Sequence, residues 1–239
     1  ILSYGVDGDA DIRAENIVFD EGMTSFDVIR AGRDDALHID LRLPGMHNVR
    51  NALATIAVAS ELQISDQDVV NALQKFEGID RRFQSLGEVR TKAGRVMLVD
   101  DYGHHPTEIA ATLSAARAGW PDKRVVLVFQ PHRYTRTRDL LDDFASVLSE
   151  ADVLVVLEVF AAGEEPIAGA DGRAIARAVR GRGAVEPVFV ETLDELPAAL
   201  DGLLAEGDLV LTMGAGDIGA FAATLAERIA HGAQLKVQK

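Results

Sequence analysis

The segments VDDYGHHPTE (residues 99–108) and VVLVFQPHRYTRTRDL (residues 125–140) decide the fold. Each begins with an apolar run, passes through a short polar turn and continues into a pattern compatible with a helix. A strand that leads closely into a helix is typical of parallel sheets, whose crossover connections are usually helical. The two segments therefore predict β–α units, with their polar turns at the carboxyl ends of the strands.

The same alternation continues to the end of the chain. Strand-like runs rich in Val and Leu lie around residues 96–101, 124–130, 152–159, 187–191 and 208–213. Helical patterns lie at about 106–118, 135–149, 172–181, 194–205 and 217–231. Nearly continuous apolar strands are typical of a parallel sheet that is covered on both faces. We therefore predict an α/β fold for residues 80–239, with a Rossmann-like, doubly wound and mostly parallel sheet.

Residues 1–79 have a different order of strand-like and helical patterns. Strand-like pieces at 17–19, 25–29 and 37–41 precede helical patterns at 48–62 and 65–76, and the sequence GIDRRF (78–83) reads as a linker. In the second helix, Ser65 is the expected N-cap and Asp68 takes the capping-box position. These features predict a small α+β region ahead of the parallel sheet.

Composition limits the classes of function. The net charge is −14, which argues against general binding of nucleic acids or anionic membranes. There is no cysteine, and no apolar run approaches the ~20 residues of a membrane helix. The chain begins ILSYGVDGDADI, without Met or a signal-like region, so we interpret it as a fragment that begins inside a domain. The expected location is cytoplasmic.

A dense basic cluster follows the strand at 124–130. It comprises His132, Arg133, Arg136 and Arg138. The N-terminus of a helix favours anions, so basic residues there indicate a phosphate or carboxylate ligand. The alternative is a solvated, salt-bridged helix face, because three acids lie nearby at helical spacing: Asp139, Asp142 and Asp143. Arg133 is harder to explain in this way because it lies in the turn itself.

The turn after the strand at 96–101 carries a second group of reactive side chains: Asp100, Asp101, His104 and His105. Carboxylates beside imidazoles can serve metal, phosphate or acid–base chemistry. Helix capping explains one of the four but not all of them. Metal binding by the two histidines is disfavoured, because adjacent side chains diverge.

Three further motifs are ambiguous by themselves. Asn48 and Asn51 share a helix face and could read an adenine edge, although an N-cap role explains one of them. Arg81 and Arg82 in the linker either reach phosphates or are solvated. The GAGDIG sequence (214–219) matches a dinucleotide fingerprint. It follows the last strand instead of the first, so strand-to-helix packing or a phosphate nest is favoured over a nicotinamide cofactor.

Taken in order, these motifs resemble the Mur ligases, the ATP-dependent amino-acid ligases of peptidoglycan precursor synthesis. GMHNVRNALA (45–54) is similar to a helix of that family's central domain, and FEGIDRRF (76–83) to the linker that follows it. The motifs of residues 100–109, 129–140 and 213–219 are similar to those of the members that join L-alanine to UDP-N-acetylmuramate. The resemblance implies a remnant of the central, ATP-binding domain at 1–79 and the C-terminal domain at 80–239.

The resemblance also implies roles for individual residues. Asn48 and Asn51 would contact the adenine of ATP, Arg82 would reach its phosphates, and Asp101 would lie near ATP and the metal. His104, Arg133 and Arg136 would be catalytic and would hold the incoming amino acid and the muramyl carboxylate. Tyr102 and His132 would lie close by and contribute to substrate binding. No residue of this chain is assigned as a metal ligand.

The implied reaction activates the lactyl carboxylate of UDP-N-acetylmuramate as an acyl phosphate, which the amine of L-alanine attacks, with ATP and Mg²⁺ as cofactors. The chain contains no GK[ST] phosphate loop, and the UDP-binding domain of the family is missing. The resemblance therefore implies an inactive fragment of a bacterial cytoplasmic ligase. Alternatives are a relative that recycles murein tripeptide, a non-catalytic binding module for nucleotides or amino acids, and a nicotinamide-dependent dehydrogenase. A homodimer formed through exposed strands is a further expectation.

Overall fold

A computed structural model describes residues 1–234, with side chains described as far as residue 230. Contacts divide the chain into two units. One comprises residues 1–78 and 114–121, and the other comprises residues 79–113 and the remainder from 122 onward.

The first unit contains a four-stranded sheet. Its strands, in spatial order, are β1 (Tyr4–Gly5), β2 (Ile12–Asp20), β3 (Met23–Arg30) and β4 (Leu37–Leu41). The first pair is parallel and the other two pairs are antiparallel. β2 is longer than the predicted strand at 17–19 because a bulge between Glu15 and Val18 interrupts the alternation of its sequence. Asn16, inside this bulge, has a φ of 53°.

Two helices pack on one face of this sheet, α1 (Met46–Glu61) and α2 (Asp66–Lys75). Phe26 and Ile39 of the sheet and Leu53 of α1 are almost fully buried in the core. Ser65 caps α2 as predicted, since its hydroxyl oxygen accepts the Asp68 amide at 3.2 Å. The N-cap of α1 is Gly45, with a φ of 99°, so the alternative in which an asparagine caps this helix is wrong.

The second unit contains a six-stranded sheet. Its strands, in chain order, are β5 (Gln84–Thr91), β6 (Gly94–Asp101), β7 (Val125–Phe129), β8 (Val153–Leu157), β9 (Val188–Val190) and β10 (Leu209–Met213). The spatial order is β5-β6-β10-β7-β8-β9, and all pairs except the antiparallel β5–β6 pair are parallel. The predicted α/β fold with a mostly parallel sheet is confirmed.

Helices cover both faces of this sheet. The helices that begin in this unit are α3 (Pro106–Gly119), α4 (Tyr134–Asp139), α5 (Leu141–Leu148), α6 (Gly172–Arg182), α7 (Leu196–Asp201) and α8 (Ile218–Gln234). Alternate side chains of β6, β7, β8 and β10 pack with α7 and α8. On the opposite face, Phe129 packs against Phe144 of α5 with ring centroids 5.5 Å apart. No helix among the described residues is long and apolar enough to cross a membrane.

Two features of the second unit differ from the predictions. The helix predicted at 135–149 is interrupted at Leu140, whose φ of −119° is not helical, so α4 and α5 are separate. The edge strand β5 was not predicted, because Gly87 and polar residues break its pattern and shift its register against β6.

The register of the sheet aligns the ends of three strands. Asp101 of β6 and Phe129 of β7 both pair with Met213 of β10. The turns that follow these strands therefore emerge at one edge of the sheet. Ligand sites of open parallel sheets are found at this carboxyl edge.

Candidate functional site

An open cleft of about 650 Å³ lies beside the carboxyl ends of β6 and β7. Its lining comes from the turn before α3, the turn after β7 and α4. The lining residues are His104, His105, His132, Arg133, Thr135, Arg136, Asp139 and Leu140. Four predicted site residues are thus brought together: His104, His132, Arg133 and Arg136.

Arg133 occupies the N-cap position of α4, with a φ of 74° and a ψ of 132°. Residues other than glycine rarely adopt a positive φ. Its backbone is held on both sides, because its amide donates to the Phe160 carbonyl at 2.9 Å and its carbonyl accepts the Thr137 hydroxyl at 3.0 Å. The Arg133 side chain is 50% exposed. A fixed backbone that carries an accessible guanidinium is well suited to binding an anion.

Arg136 contacts His132 one turn earlier. Its Nη1 donates to the His132 carbonyl at 3.0 Å and lies 3.3 Å from Nδ1 of the imidazole. Burial, followed by the positive charges of Arg136, His104 and Arg133, lowers the pKa of His132 below 6.5. The neutral form of the imidazole therefore predominates at pH 7. Guanidiniums dominate the positive charge of the cleft and suit a carboxylate or phosphate.

Four aromatic rings form a row along the edge of the sheet. The ring of Tyr102 lies 5.3 Å from that of His104, which lies 5.7 Å from that of His132. His132 in turn stacks on Phe160 at 5.5 Å, and an isolated bridge joins the two backbones. These centroid distances lie within the usual range for interacting rings. The row connects the segments that follow β6, β7 and β8.

Glu108 organises the first turn of α3. Its Oε2 accepts the amides of His104 at 2.9 Å and of His105 at 3.1 Å. Burial opposes ionisation of Glu108, but these amides and the charges of His104 and Arg82 together hold its pKa below the usual value. The Nδ1 of His104 lies 3.1 Å from the Tyr102 carbonyl, so both its backbone and its ring are oriented.

Asp101 is only 5% exposed. Its Oδ1 accepts the Gly103 amide at 2.7 Å and its Oδ2 accepts the Phe83 amide at 2.8 Å. Burial raises the pKa of Asp101, and the two amides act in the opposite direction. The carboxylate thus joins the turn after β6 to the linker. Its implied place near ATP and the metal stays a prediction.

The two linker arginines have different environments. The Nε of Arg81 lies 2.8 Å from Oδ2 of the buried Asp100, and its Nη2 donates to the Gly214 carbonyl at 2.6 Å. Arg82 is 53% exposed, and its nearest acidic partner, Glu108, lies 3.9 Å away. Arg81 therefore holds the linker against the sheet, while Arg82 remains accessible. The role of Arg82 at the phosphates of ATP stays a prediction.

The glycine motif after β10 serves close packing. A Cβ at Gly216 would lie 2.6 Å from the Phe160 ring and 2.5 Å from Oε1 of Gln130, and one at Gly219 would overlap the Arg81 guanidinium. Side chains of the protein thus fill the space along this turn. This supports the packing interpretation over a dinucleotide fingerprint.

Asn48 and Asn51 lie in the first turns of α1. The Asn48 side chain donates to the Pro44 carbonyl at 2.8 Å, and the carbonyl oxygen of Asn51 accepts the Thr55 hydroxyl at 3.0 Å. Asn48 is partly buried and Asn51 is exposed. The amide of Asn51 is therefore accessible to a ligand, and the adenine contacts of both residues stay predictions.

The salt-bridged alternative for the basic cluster holds for Arg138. Its Nε lies 2.8 Å from Oδ1 of Asp139, and both side chains are more than half exposed. Arg133 lies 3.8 Å from Glu164, which follows β8. Among residues 1–230, no group of three or more His, Asp or Glu side chains could hold a metal ion.

Three residues that organise this site were not singled out from the sequence: Glu108, Phe160 and Glu164. Arg81 was singled out, but neither of its two expected roles was the ion pair with Asp100. Glu108 could have been found locally, because a Glu three residues after the residue that precedes a helix is typical of a capping box. Phe160 and Glu164 are distant in sequence from the turn that they contact, so no local signal could have placed them there.

The fold and the cleft define a class of protein, a mostly parallel α/β protein with an arginine- and histidine-lined cleft at the carboxyl edge of its sheet. The family profile described as "Mur ligase, glutamate ligase domain" matches residues 81–216, and the "Mur ligase middle domain" matches residues 1–59. The first match alone spans more than half of the chain. The chain therefore belongs to the Mur ligase family, whose members are ATP-dependent ligases of peptidoglycan precursor synthesis.

Solved structures agree with this assignment. UDP-N-acetylmuramate-alanine ligase from Thermotoga maritima is 31% identical, with a TM-score of 0.78 over 95% of this chain and 47% of that chain. A murein peptide ligase from Psychrobacter arcticus is 23% identical, with a TM-score of 0.63 over 95% of this chain and 46% of that chain. A MurF ligase from Thermotoga maritima in complex with ADP is 16% identical, with a TM-score of 0.69 over 98% of this chain and 49% of that chain. The last two show the fold alone. This chain spans about half the length of these relatives.

Proposed function

We propose that this chain supplies the acceptor-binding part of an ATP-dependent ligase that joins L-alanine to UDP-N-acetylmuramate. The observation that carries the proposal is the cleft at the carboxyl edge, which brings Arg133 and Arg136 together beside His104. The L-alanine ligase from Thermotoga maritima has both a higher identity and a higher TM-score than the murein peptide ligase. These comparisons support L-alanine as the acceptor, ahead of the recycled tripeptide.

In this proposal, the guanidiniums of Arg133 and Arg136 bind carboxylate groups and orient the acceptor. His104 contributes a third polar group from the turn before α3, and Tyr102 and His132 complete the substrate-binding surface. Because the neutral form of His132 predominates at pH 7, its ring can approach the amino group of L-alanine without charge repulsion. The two guanidiniums would also stabilise the negative charge that develops at a carboxyl centre under attack.

The nucleotide contacts of the proposal rest on accessible polar groups in each unit. In the first unit, Asn48 and Asn51 are proposed to contact adenine, and the amide of Asn51 is exposed as this requires. In the second unit, the half-exposed Arg82 is proposed to reach phosphates, and Asp101 to lie near ATP and Mg²⁺. ATP supplies phosphoryl transfer when bound. The described residues contain no cluster of ligands for Mg²⁺.

Binding to the 239-residue chain tests the acceptor assignment. In an NMR titration, L-alanine is expected to shift the side-chain Nε–Hε signals of Arg133 and Arg136. D-alanine and the tripeptide L-Ala-γ-D-Glu-diaminopimelate serve as comparison ligands, and Arg138 serves as the internal reference. Tighter binding of the tripeptide would overturn the L-alanine assignment in favour of the recycling activity. An absence of shifts with all three ligands would overturn the acceptor site itself.

Turnover by these 239 residues alone is expected to be absent, since their sequence contains no GK[ST] loop to hold ATP phosphates. The chain is to be incubated with ATP, Mg²⁺, L-alanine and UDP-N-acetylmuramate, with release of inorganic phosphate as the readout. Phosphate release clearly above a blank without L-alanine would contradict this expectation.

A further inference from the structure

Glu164 lies outside every motif discussed above, in the segment that follows β8, yet it bonds to the first turn of α4. Its Oε1 accepts the Thr135 hydroxyl at 2.6 Å and its Oε2 accepts the Thr135 amide at 3.0 Å. Glu164 is only 19% exposed. The hydroxyl and the amide of Thr135 hold the pKa of Glu164 below its usual value, so the Glu164 carboxylate that braces this turn is charged at neutral pH.

The same segment also holds the residue that precedes α4. The carbonyl of Phe160 accepts the Arg133 amide at 2.9 Å, and Oε1 of Glu164 lies 3.8 Å from the Arg133 guanidinium. The segment after β8 therefore contacts both the N-cap of α4 and the residue two positions later. Arg136 follows Thr135 directly, so any movement of this turn moves both guanidiniums of the cleft.

We infer that Glu164 is a positioning residue, which fixes the first turn of α4 so that Arg133 and Arg136 face one ligand together. The inference deepens the proposed function and rests on it, because the ligand in question is the carboxylate of the acceptor. Glu164 acts through Thr135 and does not need to touch the ligand. Its contribution is to preorganise two long side chains that would otherwise have to be ordered on binding.

The sign of the effect separates positioning from simple electrostatics. Glu164 places a negative charge near an anion-binding cleft, so neutralising it would strengthen carboxylate binding if charge were its only contribution. If Glu164 positions the arginines, neutralising it weakens binding. Glu164→Gln retains the size of the side chain and removes the charge, so it tests the two alternatives directly.

The experiment compares the dissociation constant of L-alanine for four variants of the 239-residue chain with that of the wild type. Glu164→Gln is expected to weaken binding about three- to tenfold through loss of a charge-assisted brace. Thr135→Val removes the hydroxyl donor without a change of charge and is expected to act in the same direction. Both substitutions break the same interaction between Glu164 and Thr135. The double variant should therefore bind L-alanine no more weakly than the single variant with the lower affinity. Glu165→Gln, at the exposed neighbouring position, is the matched control and should bind like the wild type.

Stronger or unchanged L-alanine binding by Glu164→Gln overturns the inference, as does additivity in the double variant. A second readout is independent of L-alanine. The Nε–Hε signals of Arg133 and Arg136 should shift in Glu164→Gln but not in Glu165→Gln. If these signals shift in neither variant, the positioning role of Glu164 is also overturned. If the wild type binds no L-alanine, the proposed function fails, while these arginine signals still decide the role of Glu164.

Discussion

Arg81 and Asp100 form an ion pair in which Nε and Oδ2 are 2.8 Å apart and the carboxylate is 2% exposed. The same guanidinium donates to the carbonyl of Gly214. One side chain thereby ties the linker to the ends of both β6 and β10. Its neighbour Arg82 lies more than half exposed and has no comparably close acidic partner among the described residues.

Arg81→Ala is expected to lower the free energy of unfolding by about 3 kcal/mol, because it leaves a buried carboxylate without its counter-charge. Urea denaturation at neutral pH measures this loss. Arg82→Ala is the matched control and should cost less than about 1 kcal/mol, as is usual for an exposed charge. Equal losses from the two variants would contradict the division of roles between the arginines.

Gly216→Ala is expected to destabilise the second unit, because its Cβ would lie 2.6 Å from the Phe160 ring and 2.5 Å from Oε1 of Gln130. Displacement of Phe160 should also change the chemical shifts of the His132 ring that stacks on it. Thermal unfolding and NMR measure the two effects. Gly181→Ala in α6 meets open space among the described atoms and should stabilise the helix by about 0.5–1 kcal/mol. A Gly216→Ala variant as stable as the wild type would show that the turn is not closely packed.

The backbone of Arg133 allows stability to be separated from binding. At a φ of 74° and a ψ of 132°, glycine is less strained than alanine. Arg133→Gly should therefore be more stable than Arg133→Ala by about 1–3 kcal/mol in urea denaturation. Both variants lose the guanidinium, so both should lose L-alanine binding in an NMR titration. Arg138→Ala removes an exposed guanidinium paired with Asp139 and should preserve binding. Retained binding by Arg133→Gly would exclude the guanidinium from the site.

The depressed pKa of His132 predicts a pH dependence of stability. Between the ordinary value of 6.5 and its lower folded value, the unfolded chain binds more protons at this residue than the folded chain does. The stability of the wild type relative to His132→Gln should therefore fall as the pH is lowered from 7 through this interval. NMR titration of the imidazole gives its pKa, and denaturation at several pH values gives the slope. A folded pKa above 6.5 would reverse the sign and contradict the described environment.

The parallel sheet was predictable because its central strands are buried on both faces, and a strand buried on both faces has a nearly continuous apolar sequence. All five residues of β7 and of β10 are apolar or fully enclosed, so their runs are continuous. β5 lies at the edge, where only one partner strand and alternate positions constrain its sequence. The bulge between Ser85 and Gly87 further removed the regular alternation that identifies a strand.

The site was predictable only where chemistry and local sequence coincide. The cluster around Arg133 was visible because several cations follow one strand, a local pattern. Glu164 was not visible, because its contact with Thr135 depends on the pairing of β7 with β8. The different roles of Arg81 and Arg82 were equally hidden, since adjacent residues of one type differ only in the direction that the folded backbone gives them.

The place of β10 in the sheet has a consequence for the order in which the protein can fold. β10 is the last strand among the described residues, yet it lies between β6 and β7 and pairs with both over its whole length. During synthesis, β6 and β7 emerge long before the strand that joins them. Until Met213 has left the ribosome, each presents an open edge that can pair with another chain. Completion of the sheet must therefore be a late, long-range step, and a nascent chain that stalls before Leu209 is expected to aggregate and not to form a smaller stable sheet.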